Sequence, residues 1–393
     1  MITKRELELL RAEWSLDLGV IEKDYVLGWL LAGIAQHERL SQTWVFKGGT
    51  CLRKCYYETF RFSEDLDFTV VDDGPEEPED LSRIFAEIAE WVAEESGLEL
   101  VLDDKSFRRR RNRRNHPTTE GRIAYGGPNP QPMLPKVKLD LTSDEVVVNR
   151  PVLRPVMHPY ADSLRGRGVL SYSIADLFGE KLRALAQRCR PRDLYDVVHL
   201  HRHPDLIGRA GAVQDVLERK CAHAGIEVPT AETIRSSPFR AEIESEWQNM
   251  LGHQLPKPLP PFEGFWSTLD DVFSWLSGRS GTSQLPRAGL PNIELDPTWE
   301  APKAITSWRR GVALELLRYA GANRLKVDLD YRAERGRQGP RRVEPYSLRR
   351  SRDGNLLLFV VNDNGELRSY RVDHIAGIRP TAITFTPRFR VEF

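Results

Sequence analysis

The chain is poor in cysteine, with four in 393 residues: Cys51, Cys55, Cys189 and Cys221. None stands in a C-x-x-C pair, so a zinc ribbon is excluded and the thiols read as small buried residues of a reducing compartment. Net charge is also lacking: 57 Lys and Arg face 57 Asp and Glu. Any attraction to nucleic acid therefore has to come from local charge. No apolar run is long enough to span a bilayer. The opening "MITKRELELLRAEW" has no apolar stretch of the signal-peptide kind and reads as an amphipathic helix capped by Thr3. The expectation is a cytoplasmic protein without a membrane partner. Internal repeats are missing too. "HLHRH" (His199 to His203) spaces its imidazoles by two, whereas helical metal pairs need three or four, so beside Pro204 it reads as a helix end.

What is there is an ordinary globular composition, 40% hydrophobic and 29% charged, at a length that suggests two or three domains. The densest stretch is "FKGGTCLRKCYYETFRFSEDLDFTV", Phe46 to Val70. Its start is a short apolar strand stopped by Gly48 and Gly49, and "TCLRKCYYETF" reads as a short helix. "SEDLDFTVV" alternates, putting Asp65 and Asp67 on one face of a strand and Leu66 and Phe68 on the other. A helix over "DLSRIFAEIAEWVAEESG" ends at Gly97, a strand covers "KVKLDLTSD", and "SYSIADLFGEKLRALAQRCR" is a helix with Ser173 as its cap.

Two carboxylates on one strand face repel unless a divalent cation lies between them. Asp140, with Leu139 and Leu141 turned away from it, adds a third acid on a later strand. Such an oxygen-rich set suits Mg²⁺ or Mn²⁺, which commonly keeps substrate phosphates as further ligands. The Gly48-Gly49-Thr50 turn opens a helix whose first amides can hold phosphate. Lys181 places a cation on an amphipathic helix, with Arg188 two turns on, where it can neutralise a triphosphate or simply face solvent. Asp193 and Asp196, one turn apart, can equally cap the next helix and pair with Arg190 or Arg192.

"FKGGTCLRK", "RFSEDLDF", "VKLDL" and "GEKLRALAQRCRPRDLYDVVHL" resemble, in this order, the AbiEii-type nucleotidyltransferases. These are toxin halves of bacterial abortive-infection and toxin–antitoxin pairs, MenT-like toxins among them, within the polymerase β-like superfamily. The resemblance covers about residues 15 to 210. It implies an α/β fold: a mixed sheet flanked by helices (1–155), then a helical domain that completes the active site (156–255). It implies Asp65, Asp67 and Asp140 as metal ligands, and Lys47, Gly48, Gly49, Thr50, Ser63 and Lys181 around the nucleotide. Asp193 matches a later acidic motif and joins Asp65, Asp67, Asp140 and Lys181 in the catalytic set. Members often carry Ser where this chain has Cys51, a weaker hydrogen-bond partner.

The expected cofactor is Mg²⁺ or Mn²⁺, with an NTP as substrate. The expected acceptor follows from relatives that extend tRNA 3′ ends, a phage-defence chemistry that blocks translation; a cognate antitoxin is the expected protein partner. "RRRRNRR" lies between two motifs of the site, and residues 101 to 130 hold eight Lys and Arg against three Asp and Glu. Read as a loop, its Arg108, Arg109, Arg110, Arg111, Arg113 and Arg114 suit RNA phosphates. A protein hydroxyl is the competing acceptor.

Residues 256–304 are Pro- and Gly-rich and read mainly as linker, with one small helix at "LDDVFSWLSG". Residues 305–393 begin with a helix and continue as strands broken by "RDGN" and "NDNGE". They are similar to WYL domains, small SH3-like β modules that bind ligands or nucleic acid. Arg368, Tyr370, Arg371 and Asp373 align with the ligand-facing segment, which implies a nucleic-acid or nucleotide ligand there. A non-catalytic WYL-containing regulator is the rival reading. It needs a DNA-reading helix pair that the sequence does not display.

Overall fold

The computed structural model describes residues 1–57, 59–112, 114–164, 168–236, 238, 240–279, 285–299, 313–332 and 339–393. Arg113 and residues 304–312 of the helix expected after the linker lie outside these. The chain forms two compact units: one of residues 1–8, 17–254 and 265–282, the other of 9–16, 255–264 and 283–393.

The first unit is built on an eight-stranded mixed sheet. Its strands are β1 (Trp44–Lys47), β2 (Asp65–Val70), β3 (Glu99–Val101), β4 (Phe107–Arg111), β5 (Pro117–Gly126), β6 (Lys136–Thr142), β7 (Val152–Arg154) and β8 (Val169–Ser171). The order is β3-β5-β6-β2-β1-β8-β7, with β4 also on β5. Parallel pairing joins β2 to β6 and β1 to β8; the other pairs are antiparallel. Apolar side chains from alternate positions cover one face. Phe68 stacks near Trp44 and Phe46, and Phe85 of the helix Pro78–Ser96 closes over Trp44 and Phe107.

The helix Leu18–Gln36 is apolar nearly all round and correspondingly buried, rather than half-exposed. Pro78–Ser96 ends where Gly97 takes φ +71°, as its glycine leads one to expect. Thr3 and Glu6 exchange hydrogen bonds at the first helix start, and Ser173 caps Ile174–Arg188 by accepting from Asp176 N–H. The helix Pro191–His201 stops inside "HLHRH".

The second unit carries a five-stranded antiparallel sheet, ordered β12-β11-β10-β9-β13. Its strands are β9 (Leu325–Tyr331), β10 (Gly339–Arg350), β11 (Leu356–Asn362), β12 (Leu367–Arg371) and β13 (Ile375–Thr384), preceded by the helix Leu314–Ala322. Gly354 and Gly365 turn its hairpins at positive φ. The stretch expected as linker departs from that reading. Beyond the small helix expected at "LDDVFSWLSG", which is present as Leu269–Leu276, it contains the helix Phe262–Trp266, and Ala288 is buried in a core with Tyr346, Phe359 and Val361. Leu290, Ile293 and Leu295 pack on the same core, so apolar residues between the prolines are anchored to the sheet.

Candidate active site

Lys47 ends β1, and Gly48 turns the chain at φ +80° into a helical stretch, Gly48–Cys51, that widens to a π-type turn over Leu52–Tyr56. A Cβ on Gly48 would overlap an Asp67 carboxyl oxygen. A Cβ on Gly49 would lie 2.5 Å from Arg61 Nη2 and 3.1 Å from Ser63 Oγ. The two glycines thus leave room for different neighbours, an acid on one side and a guanidinium on the other. Thr50 Oγ1 donates to the Asp65 carbonyl oxygen at 2.5 Å, which ties the turn to the first residue of β2. The Cys51 thiol is buried and turned to Cys55; burial and that contact push it well above its ordinary value. It therefore does not replace a phosphate-facing hydroxyl.

Asp65 and Asp67 lie on the face of β2 opposite Leu66 and Phe68, as the alternation predicts. Antiparallel register sets Lys47 beside Asp67, and parallel register sets Asp140 of β6 on its other side. Neither the Asp65 nor the Asp67 carboxylate has a hydrogen bond or ion pair among the described residues. Burial pushes Asp67 up to about 6, with Asp140 and Asp65 adding to the rise against Lys47 and Lys181. Burial also raises Asp65, with Asp140 and Glu64 opposed by Lys138 and Arg192. Lys47 itself is buried and paired with Glu145, a residue the sequence reading missed.

Asp140 behaves differently from the other two. Lys138, two residues back on the same strand, donates to its Oδ2 at 2.5 Å. No three His, Cys, Asp or Glu side chains among the described residues gather as a metal cluster. Of the expected three carboxylates, Asp140 stands beside Asp67 in register and differs from the other two in having Lys138 on one oxygen. Two oxygen-only ligands that repel each other and have no direct ion pair among the described residues fit a hard divalent cation; Asp140, with Lys138 on its Oδ2, still has its Oδ1 to offer.

Lys181 of the helix Ile174–Arg188, near enough to Asp67 to oppose its rise, meets two acids of the helix Pro191–His201. Its Nζ is 2.8 Å from Asp196 Oδ2 and 3.5 Å from Asp193 Oδ1. Arg188 grips Asp193 with two hydrogen bonds, at 2.7 and 2.8 Å. Burial alone would raise Asp193, but Lys181 and Arg188 hold it below the usual carboxylate range. Asp193 is thus an anchor for two cations, the pairing role that the sequence also allows.

Asp196 receives a second fork, from Arg61 Nε at 2.7 Å and Nη2 at 2.8 Å. Against burial, Arg61 and Lys181 bring it down to about 2. Arg61 is only 2% exposed and was not singled out in the sequence. Its signal was a lone arginine between Phe60 and Phe62 just ahead of the acidic strand, where a charge needs a buried partner.

The first four arginines of the run are not a loop, whereas Arg114 lies in a turn. Arg108 to Arg111 form β4 with Phe107, paired to β5. Strand alternation splits them. Arg108 and Arg110 stand opposite Glu120 and Thr118, on the face that carries Lys138 and Asp140. Arg109 faces the other way and is held by Glu76 and Glu77. Arg111 donates to the Asn115 carbonyl, and Arg114 to Asp144 and the His223 carbonyl. Of the six arginines expected to bind RNA, Arg109 and Arg114 are held in close ion pairs within the fold, Arg110 in a long one to Glu120 at 3.9 Å, and Arg113 is outside the described residues.

A cleft of about 930 Å³ opens beside the Lys47–Glu145 pair, with Glu145 in its wall. Its lining includes the cations Arg183, Arg188, Arg190 and Lys220, the acids Asp144 and Glu227, and the apolar Ile226 and Val228. In the second unit, the Tyr370 and Tyr331 rings lie 4.7 Å apart, tilted by 51°, and the Arg341 guanidinium lies 4.9 Å from Tyr331 and 5.2 Å from Tyr370. Arg368 pairs with Glu366 and Arg371 with Asp373, each two residues away.

A family model described as the nucleotidyl transferase AbiEii toxin of type IV toxin–antitoxin systems matches residues 29–273. A WYL domain model matches residues 312–380. Among solved structures, the chain is similar to MenT4, the nucleotidyltransferase toxin Rv2826c from Mycobacterium tuberculosis H37Rv. The two are 20% identical over 70% of this chain and 87% of that one, with a TM-score of 0.44. No curated protein matches.

Proposed function

The chain belongs to the AbiEii nucleotidyltransferase toxin family, whose model spans more than half of it, and from that premise we propose that it transfers a nucleoside monophosphate from an NTP to the 3′ end of a tRNA. The carrying observation is the unpaired Asp65–Asp67 couple directly against the glycine turn, with Asp67 pushed up to about 6. Evolution of a stable fold alone gives no reason to keep two repelling carboxylates there.

In this reading the turn at Gly48 to Thr50 receives the triphosphate. Asp65 and Asp67 hold Mg²⁺ or Mn²⁺, which when bound polarises the phosphoryl oxygens and offsets the charge of the leaving pyrophosphate. Lys181 adds a fixed positive charge that acts on Asp67. Asp140, next to Asp67 and bonded to Lys138, takes the proton of the attacking 3′-hydroxyl at a carboxyl oxygen in this reading. A nucleic-acid acceptor is favoured over a protein one by the cations that line the cleft and by Arg108 and Arg110 on the carboxylate face. An antitoxin is the partner that the type IV family implies.

The test is incubation of the full chain with each α-labelled NTP, Mg²⁺ and total tRNA. Label at the tRNA 3′ end is expected, and its loss with Asp65→Ala or Asp67→Ala. Label on protein alone would replace tRNA by a protein hydroxyl. No transfer with any of the four nucleotides would remove the reading.

A further inference from the structure

Lys181, Arg61 and Arg188 form one network with Asp193 and Asp196, three cations on two carboxylates, with Arg188 at its exposed edge. Lys181 is 6%, Asp193 1% and Asp196 0% exposed, so water screens these charges little. Asp196 Oδ2 is shared, 2.8 Å from both Lys181 Nζ and Arg61 Nη2. The other edge of Arg61 reaches Gln254 Oε1 at 3.0 Å, and Nη2 lies under Gly49. A single side chain therefore touches the glycine turn on one side and the lysine's counter-ion on the other.

We propose that Arg61 is a positioning residue that keeps Lys181 available to an anionic ligand at the turn. With Arg61 present, the network carries one surplus positive charge, and Asp196 divides its attraction between two cations. Without it, Lys181 and Arg188 are matched one to one by Asp193 and Asp196, and the ammonium is held by its own acids. Gly49 belongs to the same device, because any side chain there pushes the guanidinium away from Asp196. The ligand class is a nucleoside triphosphate, so the inference rests on the nucleotide reading of this site.

The experiment measures binding of a non-hydrolysable NTP analogue with Mg²⁺ to the full-length protein by calorimetry, alongside thermal melting. Arg61→Gln is expected to weaken binding about tenfold or more, the effect of removing one buried charge contact. Arg61→Lys, which keeps the charge and loses the fork, stays within a few-fold of the parent. The deciding variant is Arg61→Gln with Asp196→Asn, which restores the surplus positive charge and is expected to recover binding. A purely structural role predicts that the double variant binds no better than the single one, and that result overturns the inference. So does equal binding by Arg61→Gln and the parent. If the parent binds none of the four analogues, the nucleotide reading itself falls, and the two failures are told apart. If Arg61→Gln does not melt cooperatively, the comparison is Arg61→Lys with and without Asp196→Asn: the added surplus charge should tighten binding, and weaker binding overturns the inference.

Discussion

Asp67 sits between two demands, since its ionised form is what a cation needs and what burial opposes. A carboxyl moved from 3.8 to about 6 costs the folded state roughly 1–3 kcal/mol at neutral pH. The sign follows from the direction. The folded value lies above the unfolded one, so stability from this group is regained as pH falls through about 6 toward 3.8. Asp67→Asn should therefore raise the melting temperature of metal-free protein at pH 7 while abolishing transfer, and Mg²⁺ should stabilise the parent but not the variant. A lower melting temperature for Asp67→Asn would show that the carboxylate is satisfied within the fold. Asp196 has the opposite sign. Its value is lowered from 3.8 to about 2, so its contribution is present above about pH 3.8 and is lost as pH falls through about 2. Asp196→Asn leaves Arg61 without its counter-ion and should cost roughly 3–5 kcal/mol at pH 7. Melting curves at pH 7, 4 and 2.5 should show the gap between variant and parent closing at the acid end.

At the scale of elements, the sequence disclosed most where periodicity or capping spoke. Asp65 and Asp67 could be assigned one face because β2 alternates, and Ser173 and Gly97 marked helix ends by chemistry that holds locally. The arginine run had no such signal. Four successive arginines hide alternation, since every position is the same residue, and only the pairing to β5 reveals two faces. Nor could spacing reveal Arg61 and Glu145, whose partners Asp196 and Lys47 are 135 and 98 residues away. The strand arrangement makes its own prediction. Arg108→Glu with Arg110→Glu should weaken RNA binding and flatten its salt dependence by about one to two phosphate contacts. Arg109→Glu sets a third acid against Glu76 and Glu77 and should lower stability with little change in RNA affinity. Filter binding at several salt concentrations, with melting curves, separates them; equal RNA effects from both faces would refute the division.

On the scale of the whole molecule, the C-terminal β unit was legible because "RDGN" and "NDNGE" place glycines at the positive φ that Gly354 and Gly365 adopt. The route of the chain was not. Segments 9–16 and 255–264 belong to the unit that otherwise begins at 283, and short non-periodic stretches carry no mark of a distant core. The Pro-rich run 285–299 looked like a spacer for the same reason, although Ala288, Leu290, Ile293 and Leu295 serve the second core. Truncation should expose this. A chain ending at 304 keeps those apolar residues but loses the Tyr346, Phe359 and Val361 that cover them. Ending at 282 removes them, yet still strands Leu10, Trp14, Leu255 and Phe262, all buried in the full chain. The expected order of melting temperature is full chain, then 1–282, then 1–304, with binding of a hydrophobic dye rising in the same order. If 1–304 melts like the full chain and binds no dye, the 285–299 segment is a spacer after all, and a clean excision of the WYL unit for RNA-affinity and toxicity measurements becomes possible at 304.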